Sequence, residues 1–111
     1  MSRIEQVNEF LREELSYLIA KEGVMDNALI TIVYVDTSPD LHYAKIIVSV
    51  LPDNLGGTAL KKLSALSSTF SHMLLKHSRL RQIPKFRWML DKTEKKAADL
   101  EEIFKEIENE K

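Results

Sequence analysis

Two runs rich in β-branched residues, Leu29 to Val35 and Ala44 to Val50, flank the turn-forming stretch Asp36-Thr37-Ser38-Pro39-Asp40. Val, Ile and Thr lose side-chain freedom in a helix and pack well on a pleated surface, so both runs are predicted strands. The polar segment between them makes an antiparallel hairpin the simplest connection. In the second run Ala44, Ile46, Val48 and Val50 point one way, while Lys45, Ile47 and Ser49 point the other. One face of the hairpin must therefore be covered and the other lies nearer water. A lone hairpin is marginal in water, so the rest of the chain must supply the cover.

Helical periodicity supplies it on both sides. Ile4, Val7, Leu11, Leu15, Leu18 and Ile19 share one helical face, and Ser2 with Glu5 reads as a capping box. The first helix is predicted from about Arg3 to Lys21, with Gly23 just past its end. After the hairpin, Asn54-Leu55-Gly56-Gly57 reads as a chain break and Thr58 as the cap of a second helix. Its apolar positions Leu60, Leu63, Leu66 and Phe70 continue into Met73 and Leu74. Ser64, Ser67, Ser68, Thr69 and Ser71 interrupt this run, and their hydroxyls compete for backbone hydrogen bonds. A break or kink is therefore predicted near Ser67 to Thr69, followed by a third helix in which Ser68, His72, Lys76 and Arg79 form one polar stripe. Beyond Pro84, Phe86, Trp88 and Leu90 alternate with Lys85 and Arg87 as a short strand whose basic residues face outward. Trp88 is expected in the core, Tyr43 is read as a core or hairpin-packing residue and not a base-stacking one, and His77 as structural.

From Asp91 onward the composition changes. Asp91 and Glu94 resemble a second capping box, and Leu100, Ile103, Phe104 and Ile107 draw a narrow apolar stripe on a charged segment. The expected organisation is a domain over residues 1–91 with a C-terminal amphipathic helix over 92–111. With 111 residues and 44% hydrophobic content, such a domain can bury a core without staples. There is no cysteine, hence no disulfide and no thiolate metal site. No run approaches a membrane span, and the first residues lack the pattern of a signal peptide, so a cytoplasmic protein is expected.

Charge is strongly segregated. The 37 residues from Asn54 to Leu90 contain no acid, although acids fill 17 of 111 positions and about six would be expected there. The same window holds Lys61, Lys62, Lys76, Arg79, Arg81, Lys85 and Arg87, with His72 and His77. Net charge is -1, yet a polyanion responds to local potential and not to the total. An enzyme needs a constellation that is absent here. No His-x-x-x-His, nucleophile elbow or phosphate-cradling glycine loop occurs, and Ser67, Ser68 and His72 have no orienting acid in the window. No cofactor is implied.

The order helix, strand, strand, helix, kinked helix, strand is that of a single α+β, type II KH-like domain. Within it, Asp40-Leu41-His42-Tyr43-Ala44-Lys45-Ile46 and Arg79-Leu80-Arg81-Gln82-Ile83-Pro84-Lys85-Phe86-Arg87-Trp88 resemble the pair of motifs marking the ribosome-binding factor A family. The likeness runs from Arg3 to about Leu90. It implies a non-enzymatic assembly factor that binds the free, immature 30S subunit, assists 5′-end maturation of 16S rRNA and matters most in the cold. Its implied partners are 16S rRNA and its precursor, with neighbouring ribosomal proteins, met by a monomer. RNA-binding KH modules clamp the backbone with a Gly-x-x-Gly loop, which the family replaces by a small-x-Gly kink. Here Leu66-Ser67-Ser68-Thr69 occupies that place without a glycine, so a shallower bend is expected. The RNA-binding candidates are Lys45, Lys61, Lys62, Ser67, Ser68, His72, Lys76, Arg79, Arg81, Lys85 and Arg87. The competing reading is a protein-interaction module that docks or dimerises through the C-terminal stripe without RNA.

Overall fold

The computed structural model describes residues 1–92. Helix α1 spans Arg3–Glu22, strands β1 and β2 span Leu29–Thr37 and Tyr43–Leu51, helix α2 spans Gly56–His77 and strand β3 spans Lys85–Leu90. This is the expected α+β architecture. The expected C-terminal helix lies outside the described residues.

The termini of α1 follow local chemistry. The Ser2 hydroxyl accepts from the Glu5 amide, and Gly23 closes the helix in the left-handed region at φ 57°. Buried Val7, Leu11, Leu15, Leu18 and Ile19 form its inner stripe. Asn8 on the same helix accepts a hydrogen bond from the Thr37 amide at 2.9 Å, pinning α1 to the far end of β1.

The sheet order is β1-β2-β3, with β1 and β2 antiparallel and β2 and β3 parallel. A parallel pair needs a crossover, and α2 provides it. β1 reaches two residues further than its β-branched run, so the turn lies at Ser38 to His42 and not at Asp36 to Asp40. There the Asp40 carboxylate accepts from the Ser38 hydroxyl and the His42 amide. These bonds hold its pKa below the usual carboxylate value, the Ser38 contact first. Leu41 takes φ 64° in the same turn.

A register shift between Ile32 and Tyr34 makes Val33 the extra residue of a bulge. Ile32, Val35 and Thr37 consequently face the core, while Val33 and Tyr34 are exposed. On β2 the inward set Ala44, Ile46, Val48 and Val50 is buried as expected, and Ile47 on the other face is buried too, at 6% exposure. Its cross-strand neighbours Tyr34 and Met89 are the reason.

Two expectations for α2 fail. The helix starts at Gly56, with Leu55 at its cap position and no side-chain cap, so Thr58 lies inside the first turn. A 3₁₀ turn over Asp53–Leu55 feeds directly into it, and Gly56 is helical at φ -56° and ψ -47°. Gly56 lets the helix start close to β3: a Cβ there would stand 2.8 Å from Leu90 Cδ1, and the Leu90 side chain would have to shift. Close helix-to-strand packing thus overrides the low helix propensity of glycine. The predicted break at Ser67 to Thr69 is also absent, since one helix of 22 residues runs to His77 and the two expected helices are one. The packed stripe Ala59, Leu63, Phe70 and Leu74 is continuous across the serines, and burying it keeps the segment helical.

Candidate nucleic-acid interface

A groove of about 670 Å³ opens between the exposed flank of α2 and the segment leading into β3. Its α2 wall is Ser64, Ser68, Ser71 and Leu75, at helical spacings of 4, 3 and 4. Ile83, Pro84 and Phe86 make the opposite wall, with His72 and Lys85 as its ionisable lining groups. Among the described residues, no acidic side chain lines it. Small hydroxyl-bearing residues leave room for a backbone to approach and offer donors to phosphate.

Helical geometry sorts the candidates. At about 100° per residue, Lys61 emerges on the groove side one turn before Ser64, whereas Lys62 and Lys76 emerge more than about 90° round from the centre of that flank. All three are exposed. The predicted stripe through Ser68, His72 and Lys76 is real, but Arg79 is not on it. The helix ends at His77, and Ser78 is extended at φ -128° and ψ 169°. Arg79 instead lies in a hollow beside the start of α1, with Arg3, Gln6 and Phe10. Arg81 is exposed in the connector to β3. Lys45 and Arg87 are opposite each other on the outward face of the sheet. Among the described residues, no carboxylate lies within ion-pair distance of these lysines and arginines.

Ser67 belongs to the lining residues, yet its hydroxyl is committed inward. It accepts from the Trp88 indole N–H at 2.7 Å and donates to the Leu63 carbonyl at 3.0 Å. A hydroxyl has one proton, so with that proton on Leu63 it cannot donate to a phosphate. The expectation that Ser67 presents a donor outward is therefore corrected. Sequence contained the signal, because Ser67 is four residues after Leu63 and three before Phe70, in the register of the buried stripe. Ser68 is exposed, and among the described residues its hydroxyl has no such inward partner.

Trp88 is buried at 9% exposure, as expected, and its ring meets Phe86 edge-on at 5.9 Å. Tyr43 is not. It is 41% exposed, and the Arg87 guanidinium lies over its ring at 4.4 Å from the centroid. The sequence reading missed the groove residues Ser64, Ser71, Leu75 and Ile83. The spacing of the first three on the flank opposite Leu63 was the available signal; the contribution of Ile83 depends on how the connector packs.

The described residues contain no group of three His, Asp or Glu arranged to hold a metal, and no helix long and apolar enough to cross a membrane. The family model described as ribosome-binding factor A matches residues 3–104. A relative of that description from Chlamydia pneumoniae is 33% identical over 93 residues, covering 80% of this chain and 78% of its own length. Another from Synechococcus sp. (strain WH7803) is 33% identical over 114 residues, covering 98% and 81%. Among solved structures, the crystal structure of ribosome-binding factor A from Thermus thermophilus superposes with a TM-score of 0.68 at 21% identity, over 80% of this chain and 97% of that one. A Thermotoga maritima protein described as a putative ribosome binding factor A gives 0.56 at 26%, over 81% and 84%. A homology model of the Thermus thermophilus factor, fitted into a cryo-EM map of a 30S complex, gives 0.57 at 22%, over 74% and 92%.

Proposed function

Because the chain belongs to the ribosome-binding factor A family, we propose that it binds the free small ribosomal subunit through 16S rRNA and its precursor, as an assembly factor and not an enzyme. The observation that carries the reading is the groove between α2 and β3, lined by no acid among the described residues, with Lys61, His72 and Lys85 around it and Arg79 and Arg81 in the following connector. An exposed backbone of phosphates is the ligand such a surface suits, because nearby carboxylates would cancel its potential. The Thermus thermophilus factor fitted into a 30S map supports the choice of subunit.

In this reading the factor acts in the cytoplasm as a monomer, assists 5′-end maturation of 16S rRNA, and matters most in the cold. Residues 1–91 are the RNA-binding domain, and 92–111 are an appendage. The test is co-sedimentation with small subunits, free and joined to large subunits, at low and high salt. Binding is expected to the free subunit alone and to weaken steeply with salt. Docking through the C-terminal stripe without RNA predicts no such salt dependence, and equal binding to joined subunits would sink the assembly reading.

A further inference from the structure

The outward face of the sheet carries a second concentration of cations, on the side away from both helices. Across the strands Asp36 faces Lys45, Lys45 faces Arg87, and Tyr43 faces Lys85. A hollow of about 310 Å³ opens there, lined by Asp36, Thr37, Tyr43, Lys45 and Arg87 among others. Two features of it are unusual for a solvated sheet face. The Arg87 guanidinium is held over the Tyr43 ring. Neither Lys45 nor Arg87 has a carboxylate within ion-pair distance among the described residues, although Asp36 is directly across from Lys45.

We propose that this hollow takes an unpaired nucleotide of RNA, with the base stacked on the Arg87–Tyr43 pair, the phosphate on Lys45, and the Asp36 carboxylate accepting from an exocyclic amine. Every base has a π-face, so a planar guanidinium or phenol ring receives it without strict sequence preference. Asp36 decides the class of base. Adenine, cytosine and guanine each carry an exocyclic amine from which a carboxylate accepts, whereas uracil offers only a ring N3–H flanked by two carbonyl oxygens that repel it, so Asp36 disfavours uracil. Duplex RNA is excluded, because its bases are not available for stacking. The proposal rests on the reading of the chain as an RNA-binding assembly factor and adds to it a second contact, on the opposite face from the groove. The adjoining rung Tyr34, Ile47 and Met89 is apolar and would suit a protein instead, which the test separates.

The test uses the full chain and fluorescent single-stranded oligo(A), oligo(U) and a duplex of equal length, with anisotropy as the readout. Oligo(A) should bind more tightly than oligo(U) or the duplex. Tyr43→Leu should weaken oligo(A) binding on the order of ten-fold. Arg87→Lys keeps the charge but loses the plane, and should weaken it several-fold even if the leucine variant fails to fold. Asp36→Asn should erase the preference for oligo(A) over oligo(U). Unchanged oligo(A) affinity in the folded Tyr43→Leu and Arg87→Lys proteins overturns the proposal. If Arg79→Ala with Arg81→Ala abolishes subunit co-sedimentation in that same case, the subunit reading stands and only the sheet site is lost. If the wild type fails to co-sediment while oligo(A) binding still depends on Tyr43, the subunit reading fails and the nucleotide site remains. Should Tyr43→Leu weaken co-sedimentation but not oligo(A) binding, the face docks a ribosomal protein, and the proposal is wrong.

Discussion

The Ser67 hydroxyl ties α2 to β3 by joining the Leu63 carbonyl to the Trp88 indole, and this relay makes the two neighbouring serines behave in opposite ways. Ser67→Ala leaves a buried indole N–H without its acceptor and should cost roughly 1 to 3 kcal/mol. Ser68→Ala, on an exposed helical position, should stabilise by a few tenths of a kcal/mol through propensity alone. Urea denaturation of the two single variants checks both signs; equal effects would mean that the relay carries no energy. Trp88→Ala should cost about 3 to 5 kcal/mol, since it removes a buried aromatic as well as the hydrogen bond. Asp40 acts through protonation. Its folded-state pKa lies below the ordinary value of 3.8, so its contribution to the hairpin turn is complete above that value and is lost as pH falls through the folded pKa. Amide resonances of Leu41 to Tyr43 followed from about pH 6 down to about pH 2 should shift with the Asp40 carboxyl, and Asp40→Asn should remove the transition.

At the scale of elements, α2 presents a packed side and a groove side, and the connector after it carries the arginines. Arg79→Ala with Arg81→Ala should reduce small-subunit binding roughly ten-fold or more, because arginine pairs phosphate through a rigid fork of donors, while the melting curve stays near that of the wild type. Lys62→Ala with Lys76→Ala removes the same charge from positions turned away from the groove and should weaken binding much less. Equal losses in the two double variants would show that overall potential, and not the groove, governs recognition. The serine run was legible as a place where helix and hydrogen-bonding side chains compete. The outcome was not, because the continuous stripe of Leu63, Phe70 and Leu74 outweighs that local competition only once the sheet is beneath it.

For the whole molecule, the acid-free window contributes seven basic side chains, but they are spread over the groove, the far flank of α2, the connector and the outer sheet face. With roughly four to six of them on phosphate at once, the log-log salt slope for subunit binding should be about -3 to -5. A slope near zero would remove the polyanion reading altogether. Linear information was sufficient wherever a property depends on neighbours a few residues apart: the Ser2 cap and Gly23 stop of α1, the hairpin strands, the inward set of β2, the burial of Trp88 and the charge segregation. The motifs around Tyr43 to Lys45 and Arg79 to Trp88 were enough to indicate the family as well. Tertiary structure alone decided the continuity of α2, the Gly56 start against Leu90, the bulge that turns Val33 and Tyr34 outward, and the seating of Arg87 over Tyr43. Each of these depends on which distant surface a residue meets. Packing between elements is worth more than the local preferences that would have chosen otherwise, and a sequence read along one dimension does not contain those distances.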